Sequence, residues 1–482
     1  MPLDMMWNQT TYRLNKSTLR AAGLALALCA AAAAAAAANE ASALMIPPSG
    51  VIGVDQVMLN AGYWIARTPA PNKLLLSPQQ IATINARTAS SDPMMRDLAI
   101  VGPSLPREQV QAWLKEIAFA PDKVLVQADG AAFPKAELEA MATNAGAEHI
   151  PAAAPTRYGL AVRRTPMRFL PTAQRAYPLK GLTDYDSFQA GVLVPGDAIV
   201  IAHESVDGKW LFVYTTQGPA WVARGDIGLG KAGDVLSYGN RKPYVVVTGD
   251  KVNTVFTPEA PEVSEVLLDM GTRVPLAQLP PGEPVNGAGP YVSWTIDLPV
   301  RRDDGSLAFE PALLQKAKDT SPDYLPLTRA NIIRQSFKLL GERYGWGGAY
   351  NARDCSGFSS AVYRSMGILL SPNTGAQGND PALKHQLFTA ADSHEARVKA
   401  VMQAQVGDLL VVPGHVLMIL GHVNGQPYVI QDVPYAVFHD PSGKIRMTKV
   451  NEVSVTALLP LMADGQHTYV DAMTSLVHVT AK

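Results

Sequence analysis

At 482 residues the chain is too long for one hydrophobic core and points to about three or four domains. A formal net charge of −1 gives no support for a nucleic acid or an anionic membrane surface as partner. With two cysteines, Cys29 and Cys355, it is no disulfide-built scaffold.

The start carries Arg13, Lys16 and Arg20 with few acids, then an apolar Ala/Leu run from Ala21 to Ala38 that ends in small residues before Asn39. This is the layout of a signal peptide over residues 1–38 with cleavage near Ala38, and it predicts an exported protein, periplasmic or secreted. The alternative is a membrane anchor, since the run is just long enough to span, although Ala-rich and weakly hydrophobic. Leu26-Ala-Leu-Cys29 loosely resembles a lipobox, but Leu28 is too bulky for the residue before a lipidated cysteine. Any contact with membrane is expected only through this segment. Cleavage removes Cys29 and leaves Cys355 as a thiol with no disulfide partner, which favours a catalytic role at the cost of exposure to oxidation.

Residues 39–155 read as a helical segment with Pro-rich joints and no chemical motif. Ser77-Pro-Gln-Gln80 is a helix start with a cap and Pro in the first turn, and Arg107 to Ala118 gives a second helix. Ile150-Pro-Ala-Ala-Ala-Pro155 reads as a linker. From 156 to 235 short strands take over. The runs 197–203 and 209–214 flank a Val206-Asp-Gly208 turn, and 220–223 follows, which predicts a small barrel. Arg168-Phe-Leu-Pro-Thr172, Phe188-Gln189, Pro195-Gly196 and Asp207-Gly-Lys-Trp210, in that order, resemble a bacterial SH3-like domain. A second strand-rich stretch, within 240–315, includes Tyr244-Val-Val-Val-Thr248 and Tyr291-Val-Ser-Trp-Thr-Ile296 and predicts another such barrel. The barrels serve either support or binding; Trp210, Phe212 and Trp221 are more often core than ligand platform.

The chemistry lies in residues 325–482. Tyr344-Gly-Trp-Gly-Gly348 is followed by Asp354-Cys-Ser-Gly357. Asp354 caps a helix whose apolar stripe is Phe358, Ala361, Val362 and Met366, with Gly367 as its stop. Cys355 then sits in the first turn, where the helix dipole favours thiolate, the nucleophilic form. His415 opens a strand-like run after Pro413-Gly414 and is the candidate base; Gln431, on the next run 428–432, is the candidate orienting group. Asn424-Gly425 between the two runs signals a hairpin. A strict two-residue turn places Gln431 opposite Met418, on the wrong face for His415. The triad therefore requires a shift of one residue, expected as a bulge at Gly425 that brings Gln431 level with Leu417.

These residues resemble the NlpC/P60 cell-wall peptidases, papain-like in fold. The shared pattern is a Tyr/Trp-Gly-Gly loop, Asp-Cys-Ser-Gly opening a helix, Gly407-Asp408 with the strand to Val412, a His at the head of the following strand, and a polar third residue on the next. The family's third residue is usually His, and Gln431 stands there in this chain. Tyr63-Trp64 and Leu74-Leu-Leu-Ser-Pro78 are similar to the N-terminal stabilising segment of multidomain members. The resemblance implies an α+β multidomain protein: a papain-like catalytic domain preceded by two small SH3-like β-barrels and a helical N-terminal segment. It also implies a cysteine peptidase that cuts the γ-D-glutamyl-diamino acid bond of cell-wall peptides with a free N-terminal L-alanine, the first barrel narrowing the cleft. Asp354 would hold that ammonium, or act only as the helix cap. Ser356 would contribute a hydroxyl, and Tyr344 would line the cleft or help bind the oxyanion. No metal or other cofactor is implied; His422 and His439 lack ligand spacing and read as surface or structural. The alternatives are an endopeptidase remodelling intact peptidoglycan and a non-catalytic wall-binding protein. Oligomeric state is not legible.

Overall fold

The computed structural model describes residues 46, 50–119, 124–280, 282–440 and 442–480. The signal-peptide and cleavage-site expectations therefore lie outside the described residues.

The C-terminal unit is built on a six-stranded antiparallel sheet in the order Lys384–Leu387, Ser475–His478, Leu409–Val412, His415–Val423, Gln426–His439, Ile445–Ala457. Alternation along His415–Val423 sorts its side chains to two sides. Val416, Met418 and Leu420 pack with Phe358, Ala361 and Val362 of the helix Cys355–Arg364. Leu417 and Ile419 pack with Val401, Tyr469 and Val470 on the other side.

The first barrel is a seven-stranded antiparallel sheet within residues 157–230, with Ile199, Ile201, Leu211, Val213 and Val222 at its centre. Phe212 and Trp221 are 0% and 1% exposed and lie on the other face of the sheet, in a core with Leu105, Val110, Trp113 and Ile150, so the N-terminal segment covers them and they face no ligand. The second β unit differs from the single barrel expected. It forms three separate ladders, Arg273–Pro275 with Tyr244–Val247 and Thr320–Ser321, Lys251–Asn253 with Leu267–Asp269, and Ser293–Arg301 with Leu307–Gln315. One apolar core including Val245, Val252, Leu268, Ile296 and Leu314 joins them. Tyr291 and Val292, expected as strand, lie in the 3-10 turn Pro290–Val292 before the strand Ser293–Arg301.

The N-terminal segment is spread over both larger units. Ser77 and Gln80 close a capping box on the helix Pro78–Ser91, with Pro78 at its first position. Asn85 on that helix exchanges hydrogen bonds with Gly367 O (2.7 Å) and Leu369 N (2.9 Å), just past the end of the Cys355 helix. Trp64 is 1% exposed and lies 5.4 Å from the Tyr428 ring in the core of the C-terminal unit. Truncating such a side chain costs about 3–5 kcal/mol. The helix Arg107–Glu116 serves the barrel instead, Trp113 stacking on Tyr214 at 4.0 Å. The stretch expected as a linker supplies the strand Ala153–Pro155, paired with Ser104–Pro106. Its backbone donors and acceptors find partners in the chain instead of in water.

Candidate active site

Asp354 caps the helix Cys355–Arg364, its Oδ1 accepting from Gly357 N at 2.8 Å and from Ser356 Oγ at 3.0 Å. Its Oδ2 accepts from Gly347 N at 3.0 Å, which ties the Trp346-Gly-Gly loop to the Cys355 helix. The glycines of that loop are dictated by space and backbone. A Cβ on Gly345 would stand 2.3 Å from Ala349 O, and one on Gly348 (φ +80°) would stand 2.8 Å from Val192.

The first barrel holds the same loop from outside. Arg164 bonds Asp269 Oδ2 (2.9 Å), Gly348 O (2.8 Å) and Ala352 O (3.0 Å), joining both β units to the loop. Gln189 Nε2 donates to Gly347 O at 3.1 Å, and Tyr185 stacks on Trp346 at 4.0 Å. Tyr185 also feels the charge of Asp354, which, after burial, raises its phenol's pKa. A barrel residue thus lies near enough to Asp354, the neighbour of Cys355, to feel its charge.

Cys355 is 5% exposed. Its Sγ lies 3.6 Å from Thr374 Oγ1, and the Val416 amide, at the head of the His415 strand, lies near enough to act on the thiol. Burial first and the Asp354 charge second push the thiol up to about 12; the Thr374 and Val416 hydrogen bonds only partly offset them. The pull of the helix dipole toward thiolate, expected from the sequence, is outweighed because a thiolate here would lose its water.

His415 is 3% exposed and its Nε2 lies 2.7 Å from Gln431 Oε1. An amide oxygen only accepts, so Nε2 carries the proton and Nδ1 keeps the lone pair a general base uses. Burial lowers the imidazole to about 4, while the Gln431 bond raises it in part. Gln431 Nε2 donates in turn to Thr456 Oγ1 at 2.7 Å. Tyr469 lies 5.9 Å from the His415 ring and also feels Cys355, placing it beside both groups.

The register shift is present, but not at the turn. Asn424 and Gly425 both have positive φ and the hairpin starts strictly, with Val423 opposite Gln426 and Gly421 opposite Tyr428. The ladder then slips at Leu420, so that Ile419 faces Val429 and Met418 faces Ile430. One step further brings Gln431 level with Leu417, on the side of His415. The slip lies beside Gly421, where a Cβ would meet the Trp64 ring at 3.3 Å.

Of the other expected residues, Tyr344 is buried, and its phenol is raised by burial, then by Cys355, Asp354 and Asp432. Ser356 lies beside Asp354, its hydroxyl also 3.5 Å from Pro372 O. Four neighbours were not singled out from the sequence: Tyr185, Thr374, Tyr469 and Asp432. Asp432 is 0% exposed, neither carboxylate oxygen has a hydrogen-bond partner, and burial holds its pKa well above the usual carboxylate range. Only its position next to Gln431 was a signal; the other three carry none.

Comparison with known proteins decides the family of this arrangement. Residues 341–455, which hold the Cys355, His415 and Gln431 constellation, match the NlpC/P60 family model. The chain carries an NlpC/P60 domain. Residues 180–223 of the first barrel match the SH3 domain of the SH3b1 type. Among solved structures the chain is similar to one described as a novel NlpC/P60 endopeptidase from Photobacterium damselae subsp. piscicida, with a TM-score of 0.69 and 15% identity, covering 88% of this chain and 97% of that one. It is also similar to an NlpC/P60 family protein from Bacillus cereus ATCC 10987, with a TM-score of 0.44 and 15% identity, over 67% of this chain and 99% of that one. At such identity the first likeness shows a shared fold that includes the units before the NlpC/P60 domain. No curated protein matches the chain.

Proposed function

We propose that the protein is an exported cysteine peptidase that hydrolyses the γ-D-glutamyl-diamino acid bond of cell-wall peptides, the L-alanine amino end facing Asp354. The observation that carries it is the arrangement of Asp354 and Cys355 on one helix start, with His415, held by Gln431, at the head of the strand that packs on that helix.

Both reacting groups rest neutral. His415 Nδ1 takes the thiol proton as Sγ attacks the γ-carbonyl, and the first-turn amides of the helix receive the oxyanion. The C–N bond breaks as the imidazolium protonates the leaving amine, leaving a thioester on Cys355. Water, deprotonated by His415, then cleaves the thioester and restores the thiol. Gln431 keeps the ring in the tautomer this cycle needs. Asp354 accepts three hydrogen bonds and has lone pairs left to accept from an alanine ammonium. Tyr185, stacked on Trp346, and the buried Tyr344 both lie near enough to Asp354 to feel its charge.

Incubation with L-Ala-γ-D-Glu-diaminopimelate, followed by mass spectrometry, tests the bond assigned. Release of L-Ala-γ-D-Glu and free diaminopimelate supports it. Cleavage at another bond would overturn the bond assigned, and no cleavage would favour the non-catalytic wall-binding alternative.

A further inference from the structure

The chain continues past residue 455, where the match to the NlpC/P60 model ends, and brings Tyr469 back to the site. Tyr469 opens the short helix Tyr469–Ala472 behind a capping box, in which the side chains of Thr468 and Asp471 each accept from the other's backbone N–H. Its own N–H donates to Leu461 O at 2.9 Å. The helix His394–Gln403 grips the segment from outside: His394 Nδ1 lies 2.6 Å from Asp471 Oδ1, and Arg397 donates to Met473 O. Tyr469 is therefore held by backbone and side-chain bonds on both of its flanks.

The ring lies on the side of the sheet that carries His415 and Gln431, in one core with Leu417, Val429 and Val470, and stands 5.9 Å from the imidazole. That packing accounts for the ring and not for the hydroxyl. The buried phenols of Tyr238, Tyr363 and Tyr428 donate to the backbone carbonyls of Asp297, Gly407 and Gly53. Tyr469 is as buried, at 4% exposed, yet its hydroxyl has no such partner among the described residues. Unlike the two oxygens of Asp432, that hydroxyl is not sealed off, so it meets open space. The space lies beside Cys355, whose charge acts on the phenol.

In the proposed reaction the leaving amine takes its proton from His415, so the diamino residue must lie against that ring. The carboxyl on its α-carbon follows the amine by two bonds, whereas its side-chain ammonium stands several bonds further out. A phenol kept neutral by burial is a donor, and an anionic oxygen is the acceptor it bonds most strongly. Reach and chemistry thus select the same group.

We infer that the Tyr469 hydroxyl holds the α-carboxylate of the leaving diamino acid, so that the enzyme favours peptides ending at that residue with its carboxyl free. This rests on the proposed function, which puts the leaving amine at His415.

The test compares L-Ala-γ-D-Glu-diaminopimelate with the same peptide in which the carboxyl next to the leaving amine is an amide. The wild type is expected to favour the free acid in kcat/KM by about tenfold, through KM, as one charge-assisted hydrogen bond gives. Tyr469→Phe keeps the ring against His415, removes only the hydroxyl, and should bring the ratio close to one. Both peptides are measured on the same preparation, so a general loss of folding does not alter the ratio. Equal handling of acid and amide by the wild type, a preference that Tyr469→Phe retains, or a loss that falls on kcat for both peptides alike would overturn the inference. Failure to cut either peptide would strike the proposed function and this inference with it.

Discussion

His415 and Gln431 share a 2.7 Å hydrogen bond although the hairpin joining their strands starts in the register that would separate them. The extra residue, Leu420, puts the amide on the imidazole's side. If this bond fixes the tautomer, Gln431→Ala should lower kcat by about 10–100-fold while changing KM little. A rise in KM with kcat unchanged would place Gln431 in substrate binding.

The resting charge state of the pair follows from burial. A thiol pushed up to about 12 stays protonated at neutral pH, and an imidazole pushed down to about 4 stays neutral. Protonation of His415 removes the base, so kcat/KM should fall only as pH drops toward about 4, with a plateau through neutrality. Alkylation of the free enzyme by iodoacetamide should be slow at neutral pH and rise steadily with pH. An acid limb near 6.5 would show an imidazole that keeps its ordinary basicity, and fast alkylation at pH 6 would show a preformed thiolate.

Arg164 makes the barrel part of the site. Arg164→Ala leaves Asp269 buried without its partner and frees the carbonyls of Gly348 and Ala352. The expected loss is about 3–5 kcal/mol of stability, with earlier proteolytic cutting in residues 345–353. Denaturant unfolding and limited proteolysis read the two effects. A variant as stable and as resistant as the parent would mean the barrel only leans on the loop.

Asp432 makes a pH-dependent prediction of opposite origin. Its folded pKa is raised, so the folded state holds a proton that the unfolded chain releases above about 3.9. Stability from this group is therefore full below that value and declines as pH rises toward the folded pKa. Asp432→Asn should raise the melting temperature relative to the wild type more at pH 8 than at pH 5. A difference independent of pH would show that the carboxyl is ionised in the fold.

What the sequence revealed was local. Asp354 as cap, the Phe358, Ala361 and Val362 stripe, the Ser77 capping box and the strands around Trp210 and Trp221 each depend on neighbours a few positions away, and each forms as expected. The need for a register shift was legible because His415 and Gln431 had to share a side. Its place was not, because Gly421 meets Trp64 from the distant N-terminal segment. The state of the thiol was misjudged for a similar reason: dipole and cap are local, while burial is made by Tyr344, Thr374 and the sheet. Tyr185, Arg164 and Asp432 stand in no motif, and only the docking of the barrel and the strand order brings them to the site.

The central claim is that Cys355 is the nucleophile, and it is tested most directly by comparing the mature protein with Cys355→Ala on L-Ala-γ-D-Glu-diaminopimelate. The two proteins are first matched by circular dichroism and melting temperature, and product release is then followed by mass spectrometry. The account predicts release of L-Ala-γ-D-Glu by the wild type and none above background by the variant. Cleavage at comparable rates by both would contradict it.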